Sequence, residues 1–286
     1  MTDIKFDFLK QKPTFQGKVR DIYDLEDKLA LVATDRHSSF DRVIAKVPGK
    51  GKILNLMSKF WFEKTQDIVP NHVLEYLDDR TLIAKKCEVI PIEVVVRGYI
   101  TGITSTSLWT NYQQGQRDFG DFKLADNLQK NQELTKAVVT PTTKSNLGDE
   151  NISFKEIISH KIIPEDLAIQ IQDTALRLFE RGQKISATKG WILVDTKYEF
   201  GLDHDKQLTL IDEIHTPDSS RFWKESNYQA RFQASQEPEA FDKEFLCLWF
   251  KEHCNPYHDE FLPNAPQELI DKLARKYQEI YESICI

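Results

Sequence analysis

The chain has 286 residues, 40% of them hydrophobic and 29% charged, with a formal net charge of −7. That length supports a substantial core and two subdomains about a cleft. The acidic balance argues against a nucleic-acid or anionic-membrane partner, so an anionic substrate would need a local cationic pocket. No apolar stretch reaches the roughly 18 residues of a membrane span, and no basic N-terminal segment leads into an apolar core, which reads as a cytoplasmic protein. Cys87, Cys247, Cys254 and Cys285 form no CxxC pair and read as reduced and structural. Cys247 and Cys254 would share a buried face on a helix. With His253 and His258, Cys254 makes only part of a metal set.

The first informative stretch is FQGKVRDIY, residues 15–23, a glycine turn followed by alternating polar and apolar residues. It predicts a hairpin with Lys18 and Arg20 on one side. A solvated basic hairpin and a turn whose backbone approaches a phosphate both fit, but the Walker A pattern is absent. An apolar strand over residues 29–34 runs into Asp35, Arg36, His37, Ser38, Ser39, Phe40 and Asp41. Polar groups crowding the end of a buried strand are a common setting for a ligand site. Residues 53–64 have amphipathic-helix spacing with an aromatic stripe read as core, and Pro70 ends the segment. Residues 81–86 and 88–96 read as strands, with Pro91 at a change of sheet or domain. Arg97 follows. Residues 113–143 are polar and irregular, expected as a long functional or mobile loop. Pro164 opens a helix that Gly182 is expected to close, and residues 240–253 and 266–284 read as two more.

The strongest constellation lies at residues 190–223. An apolar run, Trp191 to Val194, predicts a buried strand, after which Asp195, Lys197 and Glu199 recur at two-residue spacing and so share one face. A polar loop leads to a second strand, residues 208–214, expected to return antiparallel. In a register where Glu199 faces Leu208 or Asp212, Asp212 joins the face of Asp195 and Glu199. Such acids repel unless a cation sits among them, and oxygen-only donors suit Mg²⁺. A solvent-facing hairpin with Lys197 pairing its neighbours has the same pattern. The turn-rich exit delivers Arg221, suited to phosphate or carboxylate.

LVDTKYEFG (residues 193–201) and IDEIHTPDSSRFW (residues 211–223) resemble the signatures of SAICAR synthases, the phosphoribosylaminoimidazole-succinocarboxamide synthases of purine biosynthesis. GKVRDIY, the string from Asp35 to Asp41, IPIEVVVRGYITG (residues 90–102), TPTTK and DENI are similar to further family motifs in the same order. The resemblance implies an α+β, two-lobed SAICAR synthase-like fold: an antiparallel-sheet N-terminal lobe (1–90), a larger α+β C-terminal lobe (91–286) and ATP in the cleft. It implies an ATP-dependent ligase joining carboxyaminoimidazole ribonucleotide (CAIR) to L-aspartate, with Mg²⁺. By the same resemblance Gly17, Lys18, Arg20 and Lys144 contact ATP, and Glu199 and Asp212 hold metal. Lys197 and Asp195 serve catalysis. Arg97, Ser107 and Arg221 bind the ribotide, with Asp35, Arg36, Ser38 and Asp41 on the substrate side; Asp149 would lie near ATP or metal. The chain departs from the signature after Gly102: Ile103 to Thr106 stand where a serine is expected, and a four-residue insertion would restore that serine as Ser107, with Thr104 and Ser105 as alternatives. A related ligase or small-molecule kinase and a silent nucleotide-binding protein are the rival readings. Oligomeric state is not legible.

Overall fold

The structure is a computed structural model that describes residues 4–40, 42–143, 150–241 and 244–286. A 3-10 helix (Ile4–Lys10) precedes β1 (Phe15–Gln16), β2 (Arg20–Asp24), β3 (Lys28–Ala33), β4 (Arg36–Ser39), β5 (Arg42–Lys46) and α1 (Lys50–Thr65). There follow β6 (Val73–Tyr76), β7 (Thr81–Lys85), β8 (Glu88–Ile100), α2 (Leu108–Gln113), β9 (Gln132–Thr143), β10 (Glu150–Asn151) and α3 (Phe154–Ser159). The chain ends with α4 (Glu165–Thr188), β11 (Trp191–Leu202), β12 (Leu208–Ile211), β13 (Ser220–Lys224), α5 (Glu225–Gln233), α6 (Glu244–His253) and α7 (Gln267–Cys285).

These elements form two compact units, each with an antiparallel sheet, in keeping with the expected α+β class. One unit gathers residues 1–60, 72–86 and 241–286, so the C-terminal helices return to the N-terminal region, where Cys247 meets Ser39 and Tyr277 lies by Lys50. Its strands run β1-β2-β3-β7-β6, with β4-β5 as a separate hairpin. Leu31, Leu82 and Ala84 form the buried centre, covered by Ile22, Leu29, Val73 and Tyr76. The aromatic stripe of α1 is core, as expected from its spacing, with Met57 and Trp61 fully buried.

The other unit, residues 61–71 and 87–240, is built on the order β10-β9-β8-β11-β12, with β13 also on β11. Helix α4 packs against β8, β9 and β11. The unit changes at Lys86 and Cys87, before Pro91. Pro91 lies inside β8, opposite an irregularity where the β11 pairing jumps from Glu199–Glu93 to Gly201–Val89. A residue without an N–H is tolerated where the ladder is already broken.

Three expectations about local structure need correction. Residues 132–143 are not loop but the long strand β9, which pairs with β8 from Gln132–Ile100 to Thr143–Ile92. Thr and Val suit a pleated surface, and here partner and burial outweighed the polar composition. The irregular stretch before it has its own core, Phe119, Phe122, Leu124 and Leu128 lying on Leu108 and Tyr112. Helix α4 likewise does not stop at Gly182 but runs on to Thr188. Gly182 serves close approach, since a Cβ there would lie 2.5 Å from His215 Cε1 and 2.6 Å from Leu193 Cδ2. All four cysteines are free and half-buried, so Cys247 and Cys254 do not share a fully buried face.

Candidate active site

The site is organised on β11. One edge of the strand pairs with β8 from Asp195–Arg97 to Leu202–Glu88. The other edge is shared: β13 takes residues 191–196 and β12 takes residues 199–202. Between these partners the chain loops away at Asp212 and returns at Ser220, closed by a hydrogen bond from Lys197 N to Ser219 O at 2.9 Å. Asp195, Lys197 and Glu199 alternate with Thr196, Tyr198 and Phe200, which are almost wholly buried on the reverse face.

The antiparallel return through β12 is present, but its register is the other parity. Glu199 faces Ile211 and Phe200 faces Leu210, so the pleat alone would not bring Asp212 to Glu199. The strand also ends early, at Ile211, because Asp212 is left-handed, with φ +67°. That conformation costs a non-glycine residue about 1–2 kcal/mol. It turns the Asp212 carboxylate to within 3.8 Å of Lys197 Nζ.

Lys197 Nζ donates to Glu199 Oε1 at 2.5 Å and to Glu93 Oε1 at 3.1 Å. Three carboxylates thus surround one ammonium, a cluster with excess negative charge and oxygen donors only. Burial works against the Lys197 charge, but Asp212, Glu199 and Glu93 outweigh it and hold the pKa above its ordinary value. These groups fit a hard divalent cation, whose charge would offset the surplus. Glu93 was missed in sequence. Its signal was the polar residue inside an apolar strand, but only the pairing with Glu199 gives it meaning.

Two residues earlier the balance reverses. Asp195 pairs across the ladder with both Arg97 and Arg221. Its Oδ2 lies 3.4 Å from Arg221 Nη1 and 3.8 Å from Arg97 Nη1, and no hydrogen bond reaches it. Arg97 is 6% exposed. Its Nε donates to Thr140 Oγ1 at 2.8 Å and its Nη2 to Thr106 O at 3.2 Å. Burial lowers its pKa, Asp195 opposes that, and Arg221 adds to it. Two guanidiniums sharing one carboxylate leave a net positive pocket suited to an anion.

Ser107 belongs to this second group. Residues 103–106 form a turn that closes with Ser107 N donating to Thr104 O at 3.0 Å. Ser107 Oγ accepts from Thr104 N at 3.0 Å and lies 2.7 Å from Thr104 Oγ1. Gly102, at φ +100°, makes room: a Cβ there would be 2.3 Å from Ser107 Oγ and 3.7 Å from Arg221 Nη1. Residues 103–106 thus fold out, and Ser107 Oγ and Arg221 Nη1 both border the space over Gly102.

Other sequence candidates lie in the first unit. Gly17 N bonds Arg20 O at 2.8 Å, forming the expected turn between β1 and β2. Arg36 is engaged by Asp21 at 2.6 Å and donates to Gly17 O at 2.9 Å, so it braces this turn. Asp35 accepts from Arg80 at 2.7 and 3.1 Å and from Gly51 N at 3.0 Å. Ser38 is half-buried in β4. Asp41, Lys144 and Asp149 lie outside the described residues. Among the described residues, the three-group set close enough for a metal is Asp203, His204 and Asp205. There Asp203 Oδ1 already caps the turn by accepting from Asp205 N and Gln207 N.

Known proteins resemble this chain over most of its length. The family model for SAICAR synthetase matches residues 13–263. The phosphoribosylaminoimidazole-succinocarboxamide synthase of Legionella pneumophila (strain Lens) is 54% identical over 270 residues, covering 94% of this chain and 86% of that relative. Among solved structures, the SAICAR-synthase from Saccharomyces cerevisiae complexed with SAICAR has TM-score 0.80 and 33% identity, covering 95% of this chain and 94% of that one. A type-2 SAICAR synthetase in complex with ADP has TM-score 0.70 and 26% identity, over 94% and 96% of the two chains. The match spans both units and the signatures on β8, β11 and the β12–β13 loop, and the chain belongs to the SAICAR synthetase family.

Proposed function

We propose that the chain joins the carboxylate of CAIR to the amine of L-aspartate, with ATP converted to ADP and phosphate. The observation that carries this reading is the pair of opposed charge clusters on one face of β11, one cationic around Asp195 and one anionic around Lys197. A carboxylate resists an amine until one of its oxygens becomes a leaving group. In the proposed reaction a CAIR carboxylate oxygen attacks the γ-phosphorus and ADP leaves. The aspartate amine then attacks the acyl carbon, phosphate departs and the amine gives up a proton. The protein's part is chiefly positioning and charge neutralisation.

In this reading Arg97, Arg221 and Ser107 hold the ribotide phosphate. Asp195 Oδ2, buried and without a hydrogen bond, is assigned to accept from the imidazole amine. Lys197 stabilises charge on the transferred phosphoryl group. Glu199 and Asp212 would hold Mg²⁺, with Glu93 beside them; the ion would neutralise phosphate charge. Lys18, Arg20 and the Gly17 turn are assigned to ATP phosphates by their motif, as is Lys144. Asp35, Arg36, Ser38 and Asp41 keep a substrate assignment, with Asp35 and Arg36 acting through the turns that they brace. No helix of the described residues is long and apolar enough to cross a membrane, and a cytoplasmic location is part of the proposal.

The test is ADP release with MgATP, CAIR and L-aspartate, omitting each in turn. Turnover should need all of them and give an imidazole product heavier by one aspartyl group. ADP release that persists without aspartate would instead indicate a kinase.

A further inference from the structure

Behind the charged face of β11 lies a polar pair that the proposed chemistry does not use. Tyr198 OH and His215 Nε2 are 2.5 Å apart, and both side chains are fully buried. Tyr198 stands between Lys197 and Glu199 on the strand but points the other way. His215 lies three residues after Asp212 in the loop that leaves β12. Both loop residues are left-handed, His215 at φ +49° and Asp212 at φ +67°. The segment between them has no sheet partner to fix it. The imidazole meets three elements: Tyr198 on β11, Gly182 of α4, and Trp61, whose ring lies edge-on at 4.7 Å. Burial lowers the His215 pKa to about 3, so the ring is neutral and the bond does not depend on pH near neutrality.

A buried imidazole in an apolar setting costs free energy that a leucine would not. The hydrogen bond offsets that cost only in one geometry, and the same geometry sets the path of the backbone from Asp212 to His215. We infer that His215 is a positioning residue: through Tyr198 it holds the left-handed turn that presents Asp212 to Lys197 and to the metal. The inference rests on the assignment of Asp212 to the metal.

Tyr198→Phe tests it, because only one oxygen is removed. Metal affinity is read without turnover, by electron paramagnetic resonance of Mn²⁺ with ADP present, and again as the Mg²⁺ concentration for half-maximal rate. The Mn²⁺ dissociation constant and the Mg²⁺ midpoint should each rise about five- to tenfold, as expected for loss of one buried bond, with KM for L-aspartate within about twofold. A purely structural defect would lower the active fraction and leave the metal midpoint where it was, and that result overturns the inference. If Tyr198→Phe does not fold, the double variant Tyr198→Phe/His215→Leu, which leaves no unpaired polar atom, replaces it: a raised metal midpoint supports the inference and a wild-type midpoint overturns it. Asp212→Asn is run alongside. If its midpoint does not move, the metal assignment falls and the inference with it; if it moves while Tyr198→Phe does not, only the inference falls.

Discussion

The Arg97–Asp195–Arg221 group and the Lys197–Glu93–Glu199–Asp212 group sit on one strand, about 6–7 Å apart by the rise of two residues. They carry opposite charge imbalances and are built by different means. Asp195 meets its arginines by direct cross-strand register on both edges of β11. Asp212 meets Lys197 through a left-handed residue beyond the end of β12. A ladder fixes side-chain direction through many backbone bonds, whereas a single unusual φ depends on what packs behind it. The cationic site should therefore tolerate loss of packing better than the acidic one.

The largest effect expected is on the acidic side. Glu199→Gln should lower kcat at least about 100-fold and raise the Mg²⁺ requirement, with KM for CAIR within about twofold; a normal rate at ordinary Mg²⁺ would separate the metal from this cluster. On the cationic side, Arg221→Lys keeps the charge but loses the fork, so KM for CAIR should rise about 10- to 100-fold while the Mg²⁺ midpoint stays put. Equal shifts in both quantities for both variants would mean that the two clusters act as one.

Gly102→Ala tests the turn at residues 103–106 and its hold on Ser107. Its Cβ would press on Ser107 Oγ at 2.3 Å from a backbone at φ +100°. A stability loss of about 1–3 kcal/mol is expected in urea titration, with a rise in KM for CAIR smaller than that of Arg221→Lys. The smallest effect concerns an ion pair in the other unit. Burial opposes ionisation of Asp35, but Arg80 and the Gly51 amide outweigh it and hold its carboxyl below the ordinary value. Its stabilisation is present above the unfolded-state pKa and lost as pH falls through the lowered folded-state value. Asp35→Asn should remove at most about 1 kcal/mol of acid-sensitive stability, measured by denaturation at pH 7 and pH 3.

Much of the site was legible because strand alternation is a local rule. Once Asp195, Lys197 and Glu199 fell on alternate positions of an apolar run, their common face followed. The glycine turn at Gly17 and the core stripe of α1 were legible for the same reason. What failed was non-local. Residues 132–143 read as loop because the segment opens on polar residues and its buried half carries Thr140 and Thr142, and only pairing with β8 makes it a strand. Gly182 carried a helix-stop signal, but its missing Cβ accommodates His215 instead.

The sequence by itself determined the α+β class, the family motifs and the shared face of the three charged residues on β11, since these depend on spacing within one segment. The tertiary structure decided which residues join them. Glu93 enters through the β8 register, Ser107 through a turn that refolds over Gly102, and Asp212 through a left-handed residue in a register of the opposite parity from that expected. Each depends on where a second segment lies, and one-dimensional periodicity carries no information about that.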